Sequence, residues 1–174
     1  MSIGIFCPLD WIKEAGVEVN RGIIANEYLE TSAPDIWVSG DSAEFHDLIA
    51  CEKALVGNWA NSQLQGKTAA LNMTGEREKF QFVSFCNASG FGLSISFVGL
   101  SKLDEEKEAI PRGSKETNSS GRIIIKGNKI VGAILINRMS EMGIIKQLIE
   151  KEVDISEKKK ELGDANFDLK KLLE

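Results

Sequence analysis

A chain of 174 residues, 43% hydrophobic and 27% charged, has the make-up of an ordinary folded protein with one large or two small domains, which excludes the disordered and fibrous classes. Its net charge of −5 comes from acids interleaved with bases, so a nucleic-acid surface, which needs clustered Lys and Arg, is excluded as well. No apolar run is long enough to span a bilayer, and the N-terminus lacks the basic flank and apolar stretch of a signal peptide; no membrane partner and a cytoplasmic location are expected.

In chain order, Ser2 to Phe6 reads as a strand and Asp10 to Ala15 as a short helix that stops at Gly16. Gly16-Val17-Glu18-Val19-Asn20-Arg21-Gly22 leads into a strand at Ile23 to Asn26. The next stretch, Thr31-Ser32-Ala33-Pro34-Asp35-Ile36-Trp37-Val38-Ser39-Gly40-Asp41, holds a turn and a short apolar run. Bounded by Pro34 and Gly40, Ile36 to Val38 is expected to be a buried strand of a parallel sheet. A carboxylate just past the carboxyl end of such a strand points into the crevice where open α/β sheets bind ligands, which makes Asp41 a candidate. Asp after Gly is also ordinary turn chemistry, so the residues alone leave both readings open.

Asp47 to Ala50 and Ala54 to Val56 are expected to form a hairpin around Cys51-Glu52-Lys53. His46, a lone histidine without Cys or His neighbours, is given no role, and no metal site is expected. Cys7, Cys51 and Cys86 are odd in number and lack C-x-x-C spacing, so reduced thiols are expected.

Asn58 to Gly75 carries the strongest helical pattern. Asn58 is a good N-cap and Gly75 a stop, while Trp59, Ser62, Gln63, Gly66, Ala70, Leu71 and Met73 are expected to place small and apolar groups along one side. Gly66-Lys67-Thr68 looks like the end of a P-loop, but position 61 is Asn instead of Gly and the triplet falls mid-helix, so nucleotide triphosphate binding is not expected.

The composition changes after Gly75, and a domain boundary is placed between residues 76 and 77. Phe80 to Cys86 and Phe91 to Val98 read as strands rich in Phe, Val and Ile. Leu103 to Ser120, polar and containing Pro111, is expected to be an edge strand with a loop, or mobile. Arg122 to Lys126 and Lys129 to Asn137 form a hairpin through Gly127-Asn128. Met142, Ile145, Leu148 and Ile149 have the spacing of an amphipathic helix over Met139 to Glu150. The Glu157 to Glu161 charge run reads as a solvated helical face, and Phe167, Leu169, Leu172 and Leu173 are expected to dock the C-terminus.

Thr-Ser-x-Pro-Asp-Ile-Trp-Val-Ser-Gly-Asp at 31–41 resembles the second flavin-binding motif of the FAD-dependent pyridine nucleotide-disulfide oxidoreductases. Residues 16–22 resemble that family's return from its NAD domain to its FAD domain. Trp59 to Gly66 resembles its second flavin contact, and Val131 to Ile136 resembles part of its interface domain. With no His-Pro-Thr motif near the C-terminus, the pattern is most similar to the branch of rubredoxin reductase, NADH oxidase, coenzyme A disulfide reductase and nitrite reductase.

The resemblance implies an α+β chain: 1–76 as the C-terminal segment of an α/β FAD-binding domain, and 77–174 as an interface domain with an antiparallel sheet and helices. It implies cofactor contacts at Gly40, Asp41, Trp59 and Ala60, with Asp41 taking a ribityl hydroxyl. The backbone amide at Ala60 would face the pyrimidine edge of the isoalloxazine, where a helix amino end stabilises negative charge. FAD would find a partial site here, and NAD(P)H would bind only the full-length enzyme. The chain lacks a Gly-x-Gly-x-x-Gly unit, an NAD domain and a redox cysteine at the family's place, so no catalytic residue is assigned and it is expected to be silent alone. Its expected partner is the rest of the enzyme or a second copy. The alternative is a free-standing dimerisation or interaction module that no longer binds flavin.

Overall fold

The computed structural model describes residues 7–49 and 51–174. The strand expected over Ser2 to Phe6 lies outside them. The chain divides into two units, 1–82 and 83–174.

In the first unit, α1 (Asp10–Glu14) is followed by β1 (Ile23–Ala25), β2 (Ala43–Asp47), β3 (Glu52–Leu55) and α2 (Trp59–Met73). The sheet has the order β1-β2-β3, with β1 parallel to β2 and β2 antiparallel to β3. The hairpin around residue 50 thus exists, but its first strand is Ala43–Asp47 instead of Asp47 to Ala50; Leu48 and Ile49 lie in the turn, and Cys51 closes it at φ 53°. Ala43 and Phe45 are buried, and Phe45 meets Phe80 edge-to-face at 5.2 Å between ring centres. Val17, Ile23, Leu29, Val38 and Ala69 complete this small core.

Ile36 to Val38 is not a central parallel strand. Trp37 makes a single antiparallel bridge to Glu30, Ile36 is 44% exposed, and Asp35 just before it sits at φ 61°. A central strand needs a ladder on both sides, and here Glu30 alone bridges to the run. Gly40 and Asp41 therefore lie in the turn that leads into β2 instead of at the end of a central strand.

The second unit is a five-stranded antiparallel sheet of β4 (Phe85–Gly90), β5 (Leu93–Gly99), β6 (Lys107–Ser114), β7 (Ser119–Lys126) and β8 (Lys129–Ile136), in the order β4-β5-β8-β7-β6. Gly127 takes φ 59° in the β7–β8 turn, as a tight hairpin requires. Pro111 lies in β6, an edge strand, where a missing N–H costs no ladder bond. The strand expected to begin at Phe80 begins only at Phe85, because the Phe80 ring is taken into the core of the first unit.

The helix α3 (Met142–Glu150) lays Ile145, Leu148 and Ile149 over β5 and β8. Beyond it, two 3₁₀ segments, Ser156–Gly163 and Leu169–Leu172, bury Leu162, Leu169 and Leu172. Arg112 ties them down. It is 2% exposed, grips Glu141 with two hydrogen bonds of 3.0 Å, and donates to the carbonyls of Leu162, Asp164 and Phe167. Among the described residues no helix is long and apolar enough to cross a membrane.

Candidate functional site

The side chains that matter in the first unit are polar ones set by α2. Asn58 caps the helix, its side-chain oxygen accepting from the Asn61 N–H at 2.8 Å. The N–H groups of Trp59 and Ala60 come before the first intrahelical donor, so the positive end of the helix is open there. Trp59 itself is 77% exposed.

The buried face of α2 is Asn61, Gln65, Thr68, Ala69 and Asn72, not the apolar side expected from Trp59, Ser62, Gln63, Gly66, Ala70, Leu71 and Met73. These amides are buried because they replace water for loop backbone. Asn61 donates to Val56 O, Asn72 donates to Tyr28 O and Glu78 O, and Gln65 Oε1 accepts from Gly40 N–H at 2.7 Å. A helix that solders loops together needs hydrogen-bonding groups inward, and its apolar groups are left outward, with Leu64 at 42% and Met73 at 57% exposure.

Gly40 is at φ 86°, a conformation that favours glycine. It turns the chain so that the next residue, Asp41, meets the amino end of α2. The Asp41 carboxylate accepts from Ser62 Oγ at 3.1 Å, and a Cβ built at Gly57 would stand 3.5 Å from it. Gly40, Asp41 and the first turn of α2 are thus brought into one place, an exposed carboxylate beside helix N–H groups that have no intrahelical partner.

Such an arrangement can accept from a hydroxyl and donate to an anion or a carbonyl within one ligand. Two buried atoms near it, Asn61 Oδ1 and Gln65 Nε2, have no hydrogen-bond partner among the described residues. A polar ligand with several hydroxyls and a carbonyl edge fits this donor and acceptor set. Among the described residues no cluster of His, Cys, Asp and Glu could hold a metal, and the three cysteines are free and exposed.

A second carboxylate shapes the unit without facing this place. Glu44 on β2, 1% exposed, accepts from the N–H groups of Arg21 and Gly22 at 2.9 and 3.0 Å and from the Asn20 side chain at 3.0 Å. Burial works against its ionised form, yet the bonds from Gly22, Asn20 and Arg21 outweigh it and hold the carboxyl below its ordinary range. A Cβ on Gly22 would come within 2.6 Å of Ser42 O, which is why the loop closes on glycine.

Gly40, Asp41, Trp59 and Ala60 stood out as candidates in the sequence, whereas the buried polar roles of Gln65, Asn61 and Glu44 did not. The signal for α2 was there: polar residues at 61, 65, 68 and 72 follow the helical repeat and mark a buried polar face. Glu44 gave no such signal, because its partners are backbone groups more than twenty positions upstream.

Residues 89–173 match a family model described as the reductase C-terminal domain. The chain is 35% identical over 162 residues to nitrite reductase [NAD(P)H] of Bacillus subtilis, covering 92% of this chain and 19% of that protein. It is 30% identical over 152 residues to NADH-rubredoxin oxidoreductase of Clostridium acetobutylicum, covering 86% of this chain and 38% of the relative. Among solved structures, the covalent putidaredoxin reductase–putidaredoxin complex matches with a TM-score of 0.84 at 25% identity, over 95% of this chain and 39% of that one. The chain spans between 19% and 38% of the length of these curated relatives.

Proposed function

Since the chain belongs to the FAD-dependent pyridine nucleotide-disulfide oxidoreductases, as a C-terminal part of the rubredoxin reductase, NADH oxidase and nitrite reductase branch, we propose that it supplies part of the FAD site of an NAD(P)H oxidoreductase. Asp41 accepts a hydrogen bond from a ribityl hydroxyl, Gly40 sets the turn that aims it, and the first turn of α2, at Trp59 and Ala60, faces the pyrimidine edge of the ring. The observation that carries this reading is the Asp41 carboxylate standing at the amino end of α2, within hydrogen-bond distance of the Ser62 hydroxyl.

FAD, when bound, supplies transfer of reducing equivalents from NAD(P)H to an acceptor. This chain's own residues bind and orient. Helix N–H groups and the dipole behind them stabilise negative charge on the ring edge, and Asp41 holds the sugar-alcohol chain. The second unit serves as an interface domain, toward the rest of the enzyme or a second copy. Three free, exposed cysteines fit a reducing, cytoplasmic setting.

The test is Asp41→Ala in the full-length polypeptide that carries this chain, read as the flavin-to-protein ratio by visible absorption. Loss of one hydrogen bond to a charged acceptor, about 1.5–3 kcal/mol, lowers flavin retention after dialysis. Flavin occupancy equal to the parent's contradicts the proposal and favours an interaction module without flavin.

A further inference from the structure

Resting on the FAD reading above, we infer that Gln65, buried in the second turn of α2, is a positioning residue for the cofactor: through the Gly40 N–H it sets where the Asp41 carboxylate stands.

Gln65 is 0% exposed, and its Oε1 accepts the Gly40 N–H at 2.7 Å, 25 positions back in the chain. Gly40 is the residue whose left-handed backbone sends the chain to Asp41, so a bond at its N–H fixes the hinge of that turn against the helix. On the far side of the hinge, Ser62 Oγ bonds Asp41 itself. Gln65 and Ser62 lie three apart on α2, on neighbouring turns, and so grip the Gly40-Asp41 turn at two consecutive points. The Ser62 hydroxyl also lies 3.0 Å from Asn58 O and has one proton to give, so it cannot hold Asp41 at all times. The Gly40 N–H, by contrast, gives its bond to the buried Gln65 Oε1, and the Gln65 Nε2 has no partner among the described residues.

A residue that acts this way changes FAD binding only through Asp41, which separates positioning from general support of the helix. In the full-length polypeptide, Gln65→Met keeps the shape of the side chain and removes the acceptor. Gln65→Asn, measured alongside, keeps a neutral amide but draws its oxygen back by one methylene from the Gly40 N–H. FAD dissociation constants are measured for the parent, Asp41→Ala, Gln65→Met and the double variant.

Gln65→Met is expected to raise the dissociation constant about tenfold, as loss of one hydrogen bond does. The double variant is expected to match Asp41→Ala, because with no carboxylate to place there is nothing left to position. Gln65→Asn is expected to weaken FAD binding as Gln65→Met does. If Asp41→Ala weakens FAD while the two single effects multiply in the double variant, or if Gln65→Met changes nothing, the inference is overturned and the FAD reading stands. If Asp41→Ala itself has no effect, the FAD reading fails first. If Gln65→Met does not fold, Gln65→Asn decides, a loss that disappears in the Asp41→Ala background supporting the inference and near-parent binding or an additive loss overturning it.

Discussion

Glu44 shows how one carboxylate can hold a whole loop. Its two oxygens satisfy the N–H groups of Arg21 and Gly22 and the Asn20 amide, which closes the 19–23 turn over β2. Glu44→Ala strands a buried Gly22 N–H and is expected to cost about 1–3 kcal/mol in urea denaturation. The pH dependence has a definite sign. Because the folded carboxyl is held below its ordinary value of 4.5, its contribution is complete above that value and is lost as pH falls through the lower folded one. In Glu44→Gln the fall in urea midpoint on acidification is expected to be shallower than in the parent. A parallel fall contradicts the assignment. Asp41 stands apart from this, since it is exposed and its free oxygen is available to a ligand.

The C-terminal 3₁₀ segments are held to the sheet by one buried arginine. In the second unit, Arg112 joins β6 to the 3₁₀ segments through Glu141 and three carbonyls, with Arg138 also bonded to Glu141 and to Ala165 O at 2.9 Å. Removing Arg112 leaves the Leu162, Asp164 and Phe167 carbonyls without this donor and Glu141 with Arg138 as its remaining cation. Arg112→Met is expected to destabilise the chain by about 3–5 kcal/mol and to speed amide exchange over residues 156–172. Unchanged exchange there means the arginine does not hold the C-terminal segment.

The elements also show what was legible in the sequence. Asn58 and Gly75 bounded α2 correctly, since capping is local chemistry, and Gly127-Asn128 fixed the β7–β8 turn for the same reason. The buried side of α2 was misread, because apolar spacing was followed where amides face inward to serve loop backbone. Ile36 to Val38 was misread as a central strand because an apolar run does not reveal whether a neighbour stands on either side. Glu44 and Gln65 owe their roles to contacts far along the chain, which no local pattern carries.

At the scale of the molecule, two features leave the first unit unfinished. Among the described residues its sheet has three strands with β1 and β3 at the edges, and α2 turns Trp59, Leu64 and Met73 outward. Unpaired edges and exposed apolar side chains favour association. The chain alone is expected to self-associate, with a weight-average mass that rises with concentration in sedimentation equilibrium. A monomer of 19.1 kDa at every concentration contradicts this.

In the proposed function, the Gly40-Asp41 turn and the amino end of α2 are two sides of one flavin site. Titration of FAD into ¹⁵N-labelled chain, followed by backbone amide shifts, checks this. Weak, saturable shifts concentrated at Gly40, Asp41, Trp59 and Ala60 are expected, with their loss in Asp41→Ala. Shifts spread elsewhere, or none at millimolar FAD, would contradict it.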